Sequence, residues 1–138
     1  MTDITRTGIS LSPHLLERFD QIIARKGYKN RSEAIRDLVR DYVVNEDVEK
    51  NRTVVGTLTM VYDHHRPKLA GRLIDIQHHA HGIVLAATHV HLDHRNCLEV
   101  VIMKGHSMEV SRVADQILSL RGVKHGKFVL TTQGKNLA

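Results

Sequence analysis

Six of the eleven histidines in this chain lie between Gln77 and Cys97, the only cysteine. They are His78, His79, His81, His89, His91 and His94. His89-Val90-His91 places two imidazoles two residues apart. On a strand they share one face, because successive side chains alternate sides. Asp93-His94-Arg95-Asn96 is a polar run of the kind that reverses a chain. Two imidazoles and the Cys97 thiolate can then converge from neighbouring strands on one ion. Such donors suit late first-row divalent metals. A cysteine taken alone reads as a small apolar core residue. The His-x-His pair just upstream, with His78 also available, turns that reading toward a ligand.

The neighbours of this cluster carry less signal. Glu99 lies two residues past Cys97 on the same strand face, where it either orients a ligand through a hydrogen bond or is solvated. His79 and His81 read as exposed residues at a helix end or as members of a secondary metal site. His64, His65, His94, His106 and His125 read as surface histidines. A hydrolytic metalloenzyme would need an open metal position and a poised base. No HExxH pattern and no paired catalytic carboxylates occur, so a non-enzymatic role is expected. A metal-buffering protein that binds no DNA is a further alternative.

The elements that must position these residues fall into two groups. Ile4 to Leu11 reads as a short strand, with Ile9 and Leu11 on one face and Arg6, Gly8 and Ser10 on the other. Ser12-Pro13 starts a helix as N-cap and first helical residue. Leu15, Leu16, Phe19, Ile22 and Ile23 continue at helical spacing to a stop at Gly27. Asn30-Arg31-Ser32-Glu33 has the form of a capping box. Ala34, Ile35, Leu38, Val39, Tyr42 and Val43 form the second apolar stripe. Residues 1–44 are thus strand, helix, helix. One strand without a partner leaves its backbone groups unpaired, and so short a segment buries too little to fold alone. A two-fold dimer with antiparallel strands repairs both faults. Its two-stranded ribbon would present Arg6, Gly8 and Ser10 to a DNA major groove. Free N–H groups at the second helix, with Arg31 and Ser32, can hold a phosphate.

Residues 45–52 are charged and read as a linker or frayed helix end. Beyond them come a strand at 53–62, a helix at 67–79, strands at 83–93 and 98–104, a helix at 108–120 capped by Ser107, and a strand at 127–132. Residues 133–138 read as a flexible tail. This βαββαβ order is ferredoxin-like, so the chain is expected to be α+β. Val84, Ala86, Thr88, Val90 and Leu92 read as the helix-covered face of their strand. The other parity, Ile83, Leu85, Ala87, His89, His91 and Asp93, reads as an uncovered subunit interface.

Charge bounds the partners. The net charge is +5, which invites a nucleic-acid reading. Residues 1–50, however, carry nine Lys/Arg and nine Asp/Glu. The excess base lies away from the ribbon, so DNA binding rests on placed residues and not on bulk charge. A single cysteine excludes an intrachain disulfide and fits a reducing compartment. Met1-Thr2-Asp3-Ile4-Thr5-Arg6 lacks the apolar stretch of a signal peptide, and no apolar run approaches a membrane span. A cytoplasmic location and no membrane partner are expected.

The first 44 residues resemble the ribbon-helix-helix DNA-binding fold, with Gly27 to Asp37 as the junction into its second helix. From about Arg6 to Gly126 the whole chain resembles the NikR family of nickel-responsive transcriptional regulators. The pieces that carry this are Gln77-His78-His79-Ala80-His81, His89-Val90-His91, Asn96-Cys97-Leu98-Glu99 and Arg121-Gly122-Val123-Lys124-His125-Gly126. The resemblance implies a ribbon-helix-helix unit (1–44) joined to an ACT-like nickel-binding and tetramerisation domain (53–132). It implies nickel(II) held by His89, His91 and Cys97 of one subunit and His78 of a neighbour. It further implies a homotetramer, a dimer of dimers, on a double-stranded DNA operator, repressing nickel-uptake genes. Glu33 and Asp37, one helical turn apart, repel as carboxylates; the resemblance offers potassium between the domains in the DNA-bound form, against a capping glutamate and a solvated aspartate. Gly8 departs from the polar residue expected at the middle outward ribbon position. The donor set alone leaves sensing of zinc or copper open.

Overall fold

The computed structural model describes residues 3–138; Met1 and Thr2, which open the 1–44 segment, lie outside the described residues. The chain divides into two units, Met1–Val43 with Lys135–Ala138, and Val44–Gly134.

In the first unit, helix α1 (Pro13–Arg25) starts as its sequence dictates. The Ser12 side chain accepts from the Leu15 N–H at 3.2 Å, and proline holds the first turn. Gly27 ends it with φ +87°, while the Tyr28 N–H returns to the Ile23 carbonyl. Helix α2 (Arg31–Glu49) is capped by Asn30, whose side chain accepts from the Glu33 N–H at 2.9 Å. Only Ile23 and Ala34 of the two apolar stripes are buried; Leu15, Leu38, Val39 and Tyr42 stay exposed, Tyr42 by 81 %. Residues 3–11 form no strand and are exposed throughout. The expected ribbon strand therefore lacks its ladder, because no other segment of the described chain pairs with it. Of the residues expected to be a flexible tail, Leu137 accepts from the Arg40 guanidinium at 2.9 Å.

Of the two readings of residues 45–52, linker or helix end, the structure has the second over 45–49, which are the last turns of α2. No glycine or proline interrupts that helix. Lys50–Glu46 and Arg52–Asp47 ion pairs at 2.9 and 2.8 Å close its end. The charged run is a solvated helical turn.

The second unit is β1 (Thr53–Asp63), α3 (Leu69–His79), β2 (Val84–His91), β3 (Asn96–His106), α4 (Ser107–Leu118) and β4 (Val123–Thr131). Its four strands are antiparallel in the order β2-β3-β1-β4, the ferredoxin-like arrangement expected from the sequence. Strict alternation in β1 sends Val54, Gly56, Leu58, Met60 and Tyr62 inward. Leu58, Met60 and Tyr62 share one core with Leu69 and Leu73 of α3 and Val110, Val113, Ala114 and Ile117 of α4. The cap of α4 differs from expectation. Asn51, at φ +54°, accepts from the Met108 N–H at 2.9 Å, while the Ser107 hydroxyl donates to the Val48 carbonyl. A loop asparagine brought alongside by the fold displaces the local serine from the role.

The face assignment of β2 is corrected by its register. His91 lies opposite Cys97 and His89 opposite Glu99. Cys97 and Glu99 are buried on the helix side, so both imidazoles face that side, and Val90 and Leu92 stay exposed. A register shift between Val84 and Ala86 separates Val84 from the parity of the rest. As an edge strand, β2 lies beyond α4, which packs on β1, β3 and β4. The imidazoles thus sit at the rim of the core and not on the bare face.

Gly56 tests the packing. A Cβ there would stand 2.8 Å from Val110 Cγ1, 2.9 Å from Phe128 Cε1 and 3.3 Å from a Leu130 methyl. Overpacking costs about 1–3 kcal/mol, more than the roughly 0.5–1 kcal/mol alanine gains over glycine within a strand. Gly56→Ala is expected to lower the urea midpoint without changing the slope.

Candidate metal centre

Cys97 is fully buried at the start of β3, beneath α3 and beside the end of β2. The antiparallel register puts His91 directly across from it, with Cys97 Sγ and His91 Nδ1 3.1 Å apart. His64, just beyond β1, completes the group: ligand atoms of His64, His91 and Cys97 all lie within 4.8 Å of one another. One buried sulfur and two exposed imidazole edges form a donor set that fits a borderline divalent ion.

The turn joining β2 to β3 fixes this geometry. The Asp93 carboxylate accepts from the Arg95 and Asn96 N–H groups and the Asn96 side-chain amide, at 2.8, 2.8 and 3.0 Å. These bonds, the Asn96 side chain first, hold the Asp93 carboxyl down at about 2. A depressed carboxyl contributes stability above its unfolded value and loses it as pH falls through the folded value. The turn therefore stays closed across the neutral range and loosens only near pH 2. Asp93→Ala is expected to weaken metal binding at neutral pH by about 10- to 100-fold, the effect typical of losing a group that orients a ligand. Chelator competition reads it.

Beneath the sulfur lies a polar layer. Tyr62 pairs with Cys97 across β1 and β3. Burial first, then the nearby Glu99 and Cys97, push its hydroxyl up to about 12, so it stays neutral beside the sulfur. Glu99 is buried and accepts from the Gln77 amide at 2.8 Å. That bond ties the last turn of α3 to β3, next to His78.

The other residues singled out in the sequence are placed as follows. His89 is two residues before His91, their ring centroids 5.6 Å apart. His78 lies outside the His64–His91–Cys97 group, with ring centroids 6.2 Å from His79 and 6.4 Å from His81. The His79 and His81 rings bond to the carbonyls of Asp75 and His78. His64, read as a surface histidine, was missed as a neighbour of the site. With Tyr62 opposite Cys97, the residues just past Tyr62 emerge at the same sheet end, a placement that strand order decides. In the first unit Arg31 makes a two-pronged bond to Asp20, both at 2.8 Å. Asp37 is held by Tyr28 at 2.5 Å and Arg40 at 3.1 Å. These two bonds, Tyr28 first, lower its carboxyl. Arg6, Gly8, Ser10 and Ser32 are exposed.

Comparison with known proteins bears on this donor set. Residues 55–131 match the family described as the NikR C terminal nickel binding domain, and residues 5–46 match the ribbon-helix-helix protein, copG family. The chain belongs to the NikR family. A relative from Trichlorobacter lovleyi is 53 % identical over 96 % of each chain. One from Thermococcus kodakarensis is 51 % identical over 97 % of this chain and 98 % of its own. One from Desulfovibrio desulfuricans is 49 % identical over the full length of both. Each carries the name "Putative nickel-responsive regulator". A solved structure of an uncharacterized protein from Thermotoga maritima shares the fold over 57 % of this chain and 98 % of its own, with a TM-score of 0.51 and 15 % identity. NikR proteins are nickel-responsive transcription regulators and not enzymes, and this chain joins their ribbon-helix-helix domain to their nickel-binding α+β domain. Among the described residues, no helix is long and apolar enough to cross a membrane.

Proposed function

We propose that this NikR protein is a cytoplasmic, nickel-dependent repressor of nickel-uptake genes, acting as a homotetramer on a double-stranded operator. The observation that carries the reading is the convergence of His91 and Cys97 at the open edge of the sheet, with His89 one pleat away. We assign His89, His91 and Cys97 as ligands from one subunit and His78 as the ligand from a neighbour. Its place on the exposed last turn of α3, apart from the one-chain group, supports that division. Bound nickel would supply a four-donor tie between subunits. Glu99 orients this set from below, and Gln77 couples it to the segment bearing His78, with His79 and His81 as a secondary site.

On the DNA side, the exposed apolar stripes of the first unit support a dimer that pairs residues 4–11 of two chains into a ribbon. Arg6 and Ser10 then read base edges, Gly8 leaves the middle position without a side chain, and Arg31 and Ser32 approach phosphate. Glu33 and Asp37 would hold potassium in the DNA-bound form, with Arg40 releasing Asp37. Domain limits of 1–44 and 53–132 are part of the same proposal.

A second reading has its own support. His64 beside His91 and Cys97 makes a set of donors within one chain, and such a set suits the tetrahedron zinc prefers. Titration of the reduced chain with nickel separates the two. Four planar donors give a thiolate-to-nickel charge-transfer band and a diamagnetic visible spectrum. Absence of that band, with tight zinc binding in its place, would overturn nickel as the signal.

A further inference from the structure

Four imidazoles stand in series at this end of the sheet, and the proposed function uses only the last. His94 and His65 have ring centroids 4.8 Å apart, His65 and His64 5.6 Å, and His64 and His91 4.9 Å. His91 then reaches the Cys97 sulfur. The outer three are exposed. Their ring nitrogens take no hydrogen bond among the described residues, whereas those of His79, His81 and His106 each engage a backbone carbonyl.

The outer pair is held together by more than chance contact. His64 and His65 follow β1, and His94 lies in the turn between β2 and β3. The His64 N–H donates to the Arg95 carbonyl at 2.7 Å, and the Arg95 guanidinium donates to Asp63 at 3.2 Å. Asp63 also accepts the His65 N–H at 2.9 Å, and Asp93 pins the turn that carries His94. The two loops are thus joined by one backbone hydrogen bond and one ion pair, which reduces the ordering an ion must impose. Asp63 and Asp93 offset the nearby cations Arg95 and Lys124, leaving the locale close to neutral.

We propose that His65 and His94 form a surface site for a borderline divalent cation, and that this site passes the ion by way of His64 to His91 and Cys97. Imidazole suits nickel, copper and zinc. Two neutral donors bind more weakly than a set containing a thiolate, so the ion exchanges there and settles at the sulfur. At each step a new imidazole engages before the previous one is lost. The relay rests on Cys97 being the final ligand; the surface pair does not.

Two measurements on the full chain test this. In stopped-flow mixing with nickel, the double variant His65→Gln, His94→Gln is expected to develop the thiolate band severalfold more slowly than wild type. Its final amplitude and equilibrium affinity stay unchanged. An unaltered rate overturns the relay, as does a lowered final affinity, which would make the pair part of the inner site. In Cys97→Ala protein, paramagnetic nickel is expected to broaden the His65 and His94 imidazole resonances before those of other histidines. Uniform broadening overturns the surface site. A wild-type protein with no thiolate band would refute Cys97 as ligand, and the resonance experiment would still decide the pair.

Discussion

Cys97→Ala is expected to abolish the thiolate-to-nickel band and to abolish nickel-activated DNA binding with it. The scale follows from the ligand count. Structural four-ligand zinc sites bind with about 10–16 kcal/mol, and on that scale one of four ligands carries roughly 2.5–4 kcal/mol. That corresponds to an affinity loss on the order of 100- to 1,000-fold. The fold should survive, since alanine removes one buried sulfur and leaves a small void costing about 1 kcal/mol. Cys97 is fully buried in the core that also holds Tyr62, Leu69 and Leu73. Chelator competition beside a thermal melt separates the two effects. A variant that melts normally and still binds nickel as tightly as wild type contradicts the assignment.

Arg6→Ala is expected to weaken operator binding by at least about 100-fold while leaving nickel affinity untouched. A bidentate contact to a guanine is worth about 1–3 kcal/mol, and each ribbon carries two copies of Arg6. Arg6→Lys discriminates the mode of action: it keeps the charge but loses the planar fork. If Arg6 reads a base, lysine restores little and the tolerated sequences broaden. If it touches phosphate, lysine restores most of the affinity, and alanine lowers the salt slope by about 1 for each copy, about 2 per ribbon. Anisotropy titrations at several salt concentrations read both. Loss of DNA binding with intact metal binding also rejects the metal-buffer alternative, which has no use for Arg6.

Much of this was written in short-range pattern. Ser12-Pro13, Gly27 and Asn30 announced the helix ends because capping is a local matter of one or two hydrogen bonds. The partial alternation from Thr53 to Tyr62 marks a strand. What needed tertiary information was harder. The face of β2 was misread because its parity is ambiguous, and register with Cys97 decides it. His64 was overlooked because its proximity to His91 depends on strand order. Asn51 cannot be recognised from sequence as the cap of α4, since Met108 follows it by 57 positions. The charged run after Val44 reads equally as linker or helix end, because composition cannot distinguish a solvated helix end from a loop. The proposed ribbon strand needs a pairing partner that residues 3–11 do not find within the described chain.

The most direct measurement is the DNA affinity of the full chain with and without one equivalent of nickel. The operator would first be recovered by selecting random duplexes with nickel-loaded protein. Nickel is expected to tighten binding to that duplex by about 5- to 150-fold, the usual range for coupled sites, and the duplex must tighten nickel by the same factor. Equal DNA affinity in the two conditions would mean that the His/Cys centre and the ribbon are not linked, and that nickel is not what this protein reports to DNA.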